Sequence, residues 1–434
     1  MKKSIRSIWV LALLVALTGI LTWGLTGCAK QSSGTKIKVS SWGDVQENAI
    51  LVKLVKDFEK KNPGIKVDLQ RIPFAEYVTK LLTQIAAGLA PDVIFVEVGN
   101  FTDLYLRDAL EPLNPFIQQD QLNLGQYYPE VIDRFTVNGQ TYVIPRDTAP
   151  ICCIYYNKKA FDEAKVPYPS DDWNWWQFLA VAQKLVKKDA AGKVTRWAFI
   201  DDWTMIDPWI YSAGASWVDN VKKPTKWTLA ADPRFVQGIQ FRANLMHKWK
   251  VMPAPSSLTA MGGMGTSDLF MNGSVAMFLS GIWKTPRFRE IKDFDWDIAM
   301  FPKGPSGVRA FATGGSGYGI LKSSKNKKEA WALVKYISGE EGAKMLASTG
   351  LAQPAIMSVA NSPLFLDDQK PRNKRMLIDA MRYVKYPPMC KNAAEIANGI
   401  VVPQLDRVWS NTADAKQAAA ALKPLLERNP PIIQ

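Results

Sequence analysis

Apolar residues alternate between strand-like and helix-like spacing along the first hundred residues, and this alternation limits the fold more than any other feature of the chain. KIKVSSW has the pattern of a strand, and ENAILVKLVKDFEKKNPGIKVDLQRI has helical spacing up to Phe58, then an Asn-Pro-Gly break and a second strand. AEYVTKLLTQIAAGLAPDVIFVE repeats the order helix, turn, buried strand. We therefore predict an α/β fold whose mostly parallel sheet is covered by helices on both faces.

The chain begins with the features of an export signal. Lys2, Lys3 and Arg6 precede an apolar run from Ile8 to Leu25, long enough for a signal core or a membrane anchor. The ending Leu25-Thr26-Gly27-Cys28 resembles the lipobox of bacterial lipoproteins, in which the cysteine is diacylated and becomes the new N-terminus. We predict a signal peptide over residues 1–27, lipidation at Cys28 and a flexible tether over 28–35. The alternative is an uncleaved anchor helix with an incidental cysteine.

Composition excludes several classes of function. The 54 Lys and Arg outnumber the 40 Asp and Glu, but the lysines are scattered through helical patterns, which does not favour nucleic acid as a partner. The cysteines beyond Cys28 have no paired spacing, so we expect Cys152 and Cys153 to be buried strand residues. The single histidine, His247, disfavours a Ser-His-Asp triad or a His-rich metal site. We predict no cofactor and no metal.

Five segments occur in one order along the chain: FEKKNPGIKV, LAPDVIFVE, YVIPRD with IYYNKKAFDEA, MNGSVAMFLSGIW, and KNKKEAWALVKYISGEEGAK. Together they resemble the family 1 extracellular solute-binding proteins, the family of the maltose-binding protein, from Lys36 almost to the end of the chain. The resemblance implies a periplasmic-binding-protein fold of two α/β lobes that close on a ligand in the cleft between them. It implies a monomeric, non-enzymatic lipoprotein outside the cytoplasm, anchored to the cell membrane, which captures an oligosaccharide and delivers it to the permease subunits of an ABC importer.

The resemblance also divides the chain. Lobe 1 would comprise residues 36–146 and 318–350, and lobe 2 would comprise residues 151–312 and 354–434. The chain would cross between lobes near 146–150, 313–317 and 351–354. Gly314, Gly315 and Gly317 suit a hinge at the second crossing because glycine absorbs large φ/ψ changes, although a tight turn at the entry to a strand is equally compatible.

Sugar sites require flat aromatic faces for the apolar side of the ring and planar polar groups for its hydroxyls. Trp42 and Asp44 lie after the first predicted strand, at positions from which members of the resembled family reach into the cleft. Glu97 and Asn100 follow a buried strand, where α/β proteins bind ligands. Arg146 and Asp147 lie at the first crossing, where they would face the cleft or, alternatively, form an ion pair between the lobes. Trp283 matches the family's cleft-facing aromatic residue, and Trp209 offers a second stacking platform. The predicted ligand-binding residues are Trp42, Asp44, Glu97, Asn100, Arg146, Asp147, Trp209 and Trp283. Packing roles are expected instead for Asp92, Tyr77 and the three tryptophans of DDWNWWQF, Trp173, Trp175 and Trp176.

Other functions on the same residues stay open. An extracytoplasmic glycoside hydrolase would need two carboxyl groups across the cleft, which Glu97 with Asp147 or Asp44 would supply. A binder of a non-sugar solute, such as a polyamine, a phosphodiester or a metal complex, is compatible with the same fold. The basic surplus also raises the possibility of an acidic sugar whose carboxylates meet Arg146 or Arg287.

Overall fold

A computed structural model describes residues 34–433, apart from Gly263, Gly314 and the side chain of Trp203. The predicted signal peptide, Cys28 and nearly all of the predicted tether lie outside the described residues. The first strand begins at Thr35, whose N–H donates to the Gly64 carbonyl, so it starts at the last residue of the predicted tether, one residue before the predicted start of lobe 1.

Sixteen strands can be traced in the described residues. They are β1 (Thr35–Ser41), β2 (Ile65–Arg71), β3 (Val93–Glu97), β4 (Thr136–Val137), β5 (Gln140–Thr141), β6 (Val143–Pro145), β7 (Asp147–Thr148), β8 (Cys153–Asn157), β9 (Lys187–Lys188), β10 (Val194–Asp201), β11 (Val275–Ser280), β12 (Trp296–Met300), β13 (Phe311–Ala312), β14 (Ser316–Ile320), β15 (Gln353–Pro354) and β16 (Val384–Lys385).

The α-helices of the described residues are α1 (Val45–Lys61), α2 (Phe74–Ala86), α3 (Val98–Leu106), α4 (Asn114–Gln119), α5 (Pro129–Arg134), α6 (Lys158–Ala164), α7 (Trp175–Leu185), α8 (Asp207–Ser212), α9 (Pro233–His247), α10 (Pro255–Ala260), α11 (Thr266–Met271), α12 (Thr285–Phe288), α13 (Lys327–Ser338), α14 (Glu340–Thr349), α15 (Met357–Ala360), α16 (Arg375–Ala380), α17 (Ala393–Glu395), α18 (Val402–Trp409) and α19 (Ala415–Arg428). Short 3₁₀ turns and one π-helical segment, Ile396–Val401, connect some of them.

The molecule has two lobes, each built on a five-stranded sheet. In the first sheet the order is β2-β1-β3-β14-β6, and only β14 runs against its neighbours. Side chains of β3 alternate between two apolar layers: Val93 and Phe95 pack on one face, and Ile94 and Val96 on the other. The predicted α/β sheet with both faces covered is therefore correct for this lobe.

The second sheet has the order β12-β8-β11-β10-β9. Strands β10 and β11 are parallel, and β8 is antiparallel to both β11 and β12. Cys153 is the first residue of β8 and Cys152 precedes it; both are buried free thiols, as predicted. The carboxyl ends of β10 and β11, at Asp201 and Ser280, therefore lie at one edge of this sheet.

The three predicted crossings lie side by side. Strand β7 pairs antiparallel with β15, which joins the first crossing to the third, and a bridge between Pro150 and Thr313 joins the first to the second. The lobe boundaries and the motion at these segments remain predictions.

Gly317, one of the three glycines of the second crossing, has a different role from the predicted hinge. Gly317 lies inside β14, paired on one side with Pro145 and on the other with Val96, and a Cβ there would lie 2.3 Å from the Ile144 carbonyl oxygen. A residue held by two neighbouring strands is not free to rotate, so the hinge prediction for Gly317 is wrong: glycine is needed there for close packing. Gly314 lies outside the described residues.

Asp92 has the structural role that the sequence predicts. Its carboxylate accepts hydrogen bonds from the Lys38 N–H at 2.8 Å, the Ser324 hydroxyl at 2.6 Å and the Asn326 amide at 3.3 Å. It thereby ties β1 to the segment that follows β14. Among the described residues, no helix combines the length and the apolar character needed to span a bilayer.

Candidate functional site

An aromatic cluster covers the carboxyl edge of the first sheet. Trp42 follows β1, and its ring lies 4.2 Å from Phe95, 4.7 Å from Tyr77 and 5.6 Å from Phe74, measured between ring centroids. Tyr77 is buried and donates its hydroxyl to the Ser40 carbonyl, so it has the packing role predicted for it. Trp42 is only partly buried and Phe74 is 53% exposed, so this cluster offers aromatic surface.

Phe74 was missed by sequence reasoning, although a signal for it was present. It opens α2 just after the carboxyl end of β2, the same position that singled out Trp42 after β1. Its exposed ring makes it a better candidate for ligand contact than several residues chosen by sequence.

Glu97 and Asn100 stand beside this cluster at the end of β3. The Asn100 side chain accepts a hydrogen bond from the Glu97 N–H at 3.0 Å, which fixes the start of α3. The Glu97 side chain is partly buried; burial and the nearby Asp147 carboxylate raise its pKa to about 7. Near neutral pH its carboxyl group can therefore either donate or accept a hydrogen bond.

Arg146 and Asp147 form a buried ion cluster after β6. The Arg146 guanidinium lies 2.6 Å from the Asp147 carboxylate and 3.2 Å from Glu47 on α1, and it stacks over the Phe95 ring at 4.1 Å. Asp147 also accepts the Ser316 N–H at 3.1 Å, at the start of β14. Glu47 was not predicted, because a glutamate in the first turn of a helix usually serves the helix dipole.

Asp44 caps a helix. Its carboxylate accepts the Glu47 N–H at 2.9 Å as the N-cap of α1. The first turn of α1 also contacts the other lobe, since the Gln46 amide donates to the Glu290 carboxylate at 3.2 Å. The Trp42–Asp44 segment of the first lobe and the segment after Trp283 in the second are thus brought to the same cleft.

Trp283 lies in the turn after β11, at the carboxyl edge of the second sheet. It belongs to a short 3₁₀ turn, Ile282–Lys284, and its side chain is partly buried. The indole packs directly on Gly281, where an added Cβ would lie 1.9 Å from a ring carbon. Glycine before this residue therefore lets the ring fold back on the chain and fixes its position.

Asp202 anchors the same turn. Its carboxylate lies 2.9 Å from the Lys284 ammonium and accepts hydrogen bonds from the hydroxyls of Ser280 at 3.1 Å and Thr266 at 2.9 Å. Asp202 is itself buried. Sequence reasoning missed it because nothing in DDWT distinguishes a buried anchor from a surface turn.

Trp209 is not at the site, and its prediction as a stacking platform is wrong. It is fully buried in the second lobe, with ring centroids 4.8 Å from Phe301, 5.5 Å from Trp175 and 5.6 Å from Phe241. No face of the indole remains for a ligand. Trp209 is a core residue of an aromatic layer between α7, α8 and α9.

The arginines proposed for an acidic sugar already have acidic partners. Arg146 pairs with Asp147 and Glu47, and the Arg287 guanidinium lies 2.5 Å from the Asp268 carboxylate. A sugar carboxylate would meet guanidinium charges that carboxylates already balance, so the arrangement favours a neutral ligand. Within the described ranges, no group of three or more His, Cys, Asp or Glu residues is placed to hold a metal ion.

Known proteins resemble this chain along most of its length. Residues 42–344 match the family described as bacterial extracellular solute-binding protein. A putative binding protein of Brucella abortus is 23% identical over 283 residues, a match that spans 65% of this chain and 66% of that protein's length. The multiple sugar-binding protein of Streptococcus mutans is 26% identical, over 81% of this chain and 84% of that protein.

Solved structures agree in fold. An ABC substrate-binding protein of Listeria monocytogenes in complex with cycloalternan superposes with a TM-score of 0.82 at 27% identity, over 91% of this chain and 98% of that one. Maltose-bound MalE3 of T. maritima superposes with a TM-score of 0.79 at 21% identity, over 91% of this chain and 100% of that one. The matched family, the two sheets and the aromatic residues at their facing edges lead to one conclusion: this chain belongs to the bacterial extracellular solute-binding proteins.

Proposed function

We propose that this protein captures a neutral oligosaccharide in the cleft between its lobes and delivers it to an ABC importer, without chemical turnover. The observation that carries the proposal is aromatic surface at the carboxyl edge of each sheet: Trp42 and Phe74 in the first lobe, and the partly buried Trp283 in the second. Aromatic rings bind the apolar faces of sugars, and Glu97 and Asn100 beside them supply groups for hydroxyls. Relatives named for sugars and for binding, rather than for an enzymatic activity, support this class of function.

The ligand test is a calorimetric screen of neutral and acidic oligosaccharides, polyamines and short peptides, repeated with Trp283→Ala. Burying the ring face contributes about 1 to 3 kcal/mol, so we expect this variant to bind the tightest glycan roughly tenfold to a hundredfold more weakly. Trp176→Ala is the matched control, because Trp176 is 58% exposed on α7 and lies outside the site. Unchanged affinity in Trp283→Ala would remove Trp283 from the site, and a polyamine or peptide as the sole hit would reject the sugar proposal.

Lipid attachment at Cys28 forms a second part of the proposal. It is supported by the charged start, the apolar run and the Leu25-Thr26-Gly27-Cys28 ending. Two acyl chains hold a protein stably at a membrane, so we expect Cys28→Ser to release the protein from the membrane fraction in cell fractionation. If Cys28→Ser is processed and stays membrane-bound like the unsubstituted protein, Cys28 is not the site of membrane attachment.

A further inference from the structure

A large cavity opens in the second lobe beside the proposed sugar site. Its volume is about 850 Å³, within the range of small-molecule sites, and it lies where the carboxyl end of β10 meets α9, α10, α11 and α18. Ile200 and Asp201 at the end of β10 border it, as does Thr266 at the start of α11. In α/β proteins, ligands bind at this edge of a sheet.

Hydrogen bonds link the cavity wall to the Trp283 turn. The Thr266 hydroxyl, which belongs to the cavity wall, donates to the Asp202 carboxylate, and the same carboxylate pairs with Lys284 next to Trp283. A ligand stacked on Trp283 would therefore have the cavity next to it rather than on the far side of the lobe.

The wall of the cavity is mainly apolar. Six of its sixteen lining residues are methionine, proline or leucine: Met246, Met252, Pro253, Pro255, Leu258 and Met264. Methionine adapts to apolar groups of varied shape, whereas sugar rings are usually bound by open aromatic faces. The one aromatic residue of the wall, Trp409, is 5% exposed and carries the Arg242 guanidinium over its ring at 4.3 Å. The wall therefore lacks a free aromatic platform for a sugar ring.

The charges around the cavity cancel. Asp201 and Arg242 form a buried bidentate pair with two bonds of 2.7 Å, and Asp406 and Arg407 add one charge of each sign. The remaining terminal nitrogen of Arg242, Nη1, makes no hydrogen bond to any described residue, but it is itself buried and so is not presented to the cavity. The site thus combines zero net formal charge with a mainly apolar wall.

We propose that this cavity binds a neutral, apolar substituent of the captured glycan, such as an acyl or aryl group. A charged substituent is disfavoured because it would have no net opposite charge to meet and would lose its hydration. The inference rests on the proposed capture of a glycan beside Trp283, but it concerns a separate set of residues and can be tested without the sugar.

The test uses methionine-methyl NMR of the full mature protein with acetophenone, an aryl ketone, as the probe. We expect acetophenone to shift the methyl signals of Met246, Met252 and Met264 in a saturable manner. Benzoate has nearly the same shape but is anionic, and we expect it to bind at least about tenfold more weakly, as one desolvated charge costs more than 1.4 kcal/mol. Equal or tighter binding of benzoate would overturn the assignment, because it would make the cavity an anion site served by Arg242.

A cavity-filling variant separates this site from the rest of the protein. Leu258→Trp on α10 should abolish the acetophenone shifts, whereas Leu364→Trp, the same substitution at an exposed leucine outside the cavity wall, should leave them unchanged. Shifts that survive in folded Leu258→Trp, or no shifts in the unsubstituted protein, would reject the inference. The glycan screen with Trp283→Ala is read independently, so a failure of the cavity assignment can be distinguished from a failure of glycan capture.

Discussion

At the scale of single residues, Glu97 is the group whose protonation links the cleft to pH. Its pKa of about 7 in the folded protein exceeds its ordinary value of 4.5 because burial and Asp147 disfavour the charge. Below pH 4.5 the carboxyl group is protonated in both the folded and the unfolded chain. Between pH 4.5 and 7 the unfolded chain loses this proton and the folded protein keeps it, so rising pH favours unfolding.

Glu97→Gln tests this link because glutamine is neutral at every pH and retains an acceptor oxygen. The stability that Glu97 contributes should be complete below pH 4.5 and lost as the pH rises through 7. We therefore expect the variant to gain stability relative to the unsubstituted protein over this range, by at most about 3 kcal/mol. Urea unfolding at several pH values measures the difference. A constant difference between the two proteins would show that Glu97 does not hold its proton.

Sequence reasoning identified residues at the ends of strands better than it predicted whether each side chain is buried or exposed. Trp42, Glu97, Asn100 and Trp283 follow strand ends, which pattern can locate, and the structure places them at the carboxyl edges of the two sheets; their contact with ligand remains a prediction. Trp209 was misjudged because a tryptophan at a helix start can stack on a ligand or fill a core. Only the arrangement of Phe301, Trp175 and Phe241 around it decides between the two.

At the scale of elements, the spacing of apolar residues and the Gly and Pro breaks located helices and strands well. Which side chains of an element are buried depended on local packing. The DDWNWWQF segment was expected to pack inside a lobe; Trp173 and Trp175 do so, but Trp176 is 58% exposed. Consecutive residues of a helix point in different directions, so these three tryptophans could not share one environment. The extra strand β14 inside the first sheet also exceeds what local pattern can show, because its partners are distant in sequence.

Gly317 is the element-scale position with the sharpest expected effect. A Cβ there would approach the Ile144 carbonyl oxygen to 2.3 Å, so Gly317→Ala must push β14 away from β6. We expect a loss of about 1 to 3 kcal/mol in unfolding free energy, measured by urea denaturation. Gly64→Ala is the control, because nothing lies within 4 Å of a Cβ at that position, and its stability should be unchanged or slightly higher. A neutral Gly317→Ala would restore the hinge interpretation.

At the scale of the whole molecule, the three crossing segments lie side by side, and we therefore predict that the two lobes move relative to each other as rigid bodies. Three chain segments lie together at β7, β15 and Thr313, whereas the Gln46–Glu290 hydrogen bond across the cleft is exposed and therefore weak. A bound glycan adds contacts that exist only in the closed form and shifts the population towards it.

Small-angle scattering tests this closure. The radius of gyration should fall when the tightest glycan of the screen saturates the protein. Trp283→Ala at the same glycan concentration should remain closer to the unliganded value, because it binds more weakly. An unchanged radius of gyration at saturation would contradict closure and leave a rigid cleft.

The place of β14 has a consequence for biosynthesis. This strand separates β3 from β6, yet it is translated after the whole second sheet, since its residues are Ser316–Ile320 and β12 ends at Met300. A nascent chain that has not reached Ile320 therefore carries two strands of the first lobe whose inner edges have no partner. Such edges are templates for pairing with other chains. A product of premature termination between residues 301 and 315 would thus retain every strand of the second sheet but have an aggregation-prone first lobe.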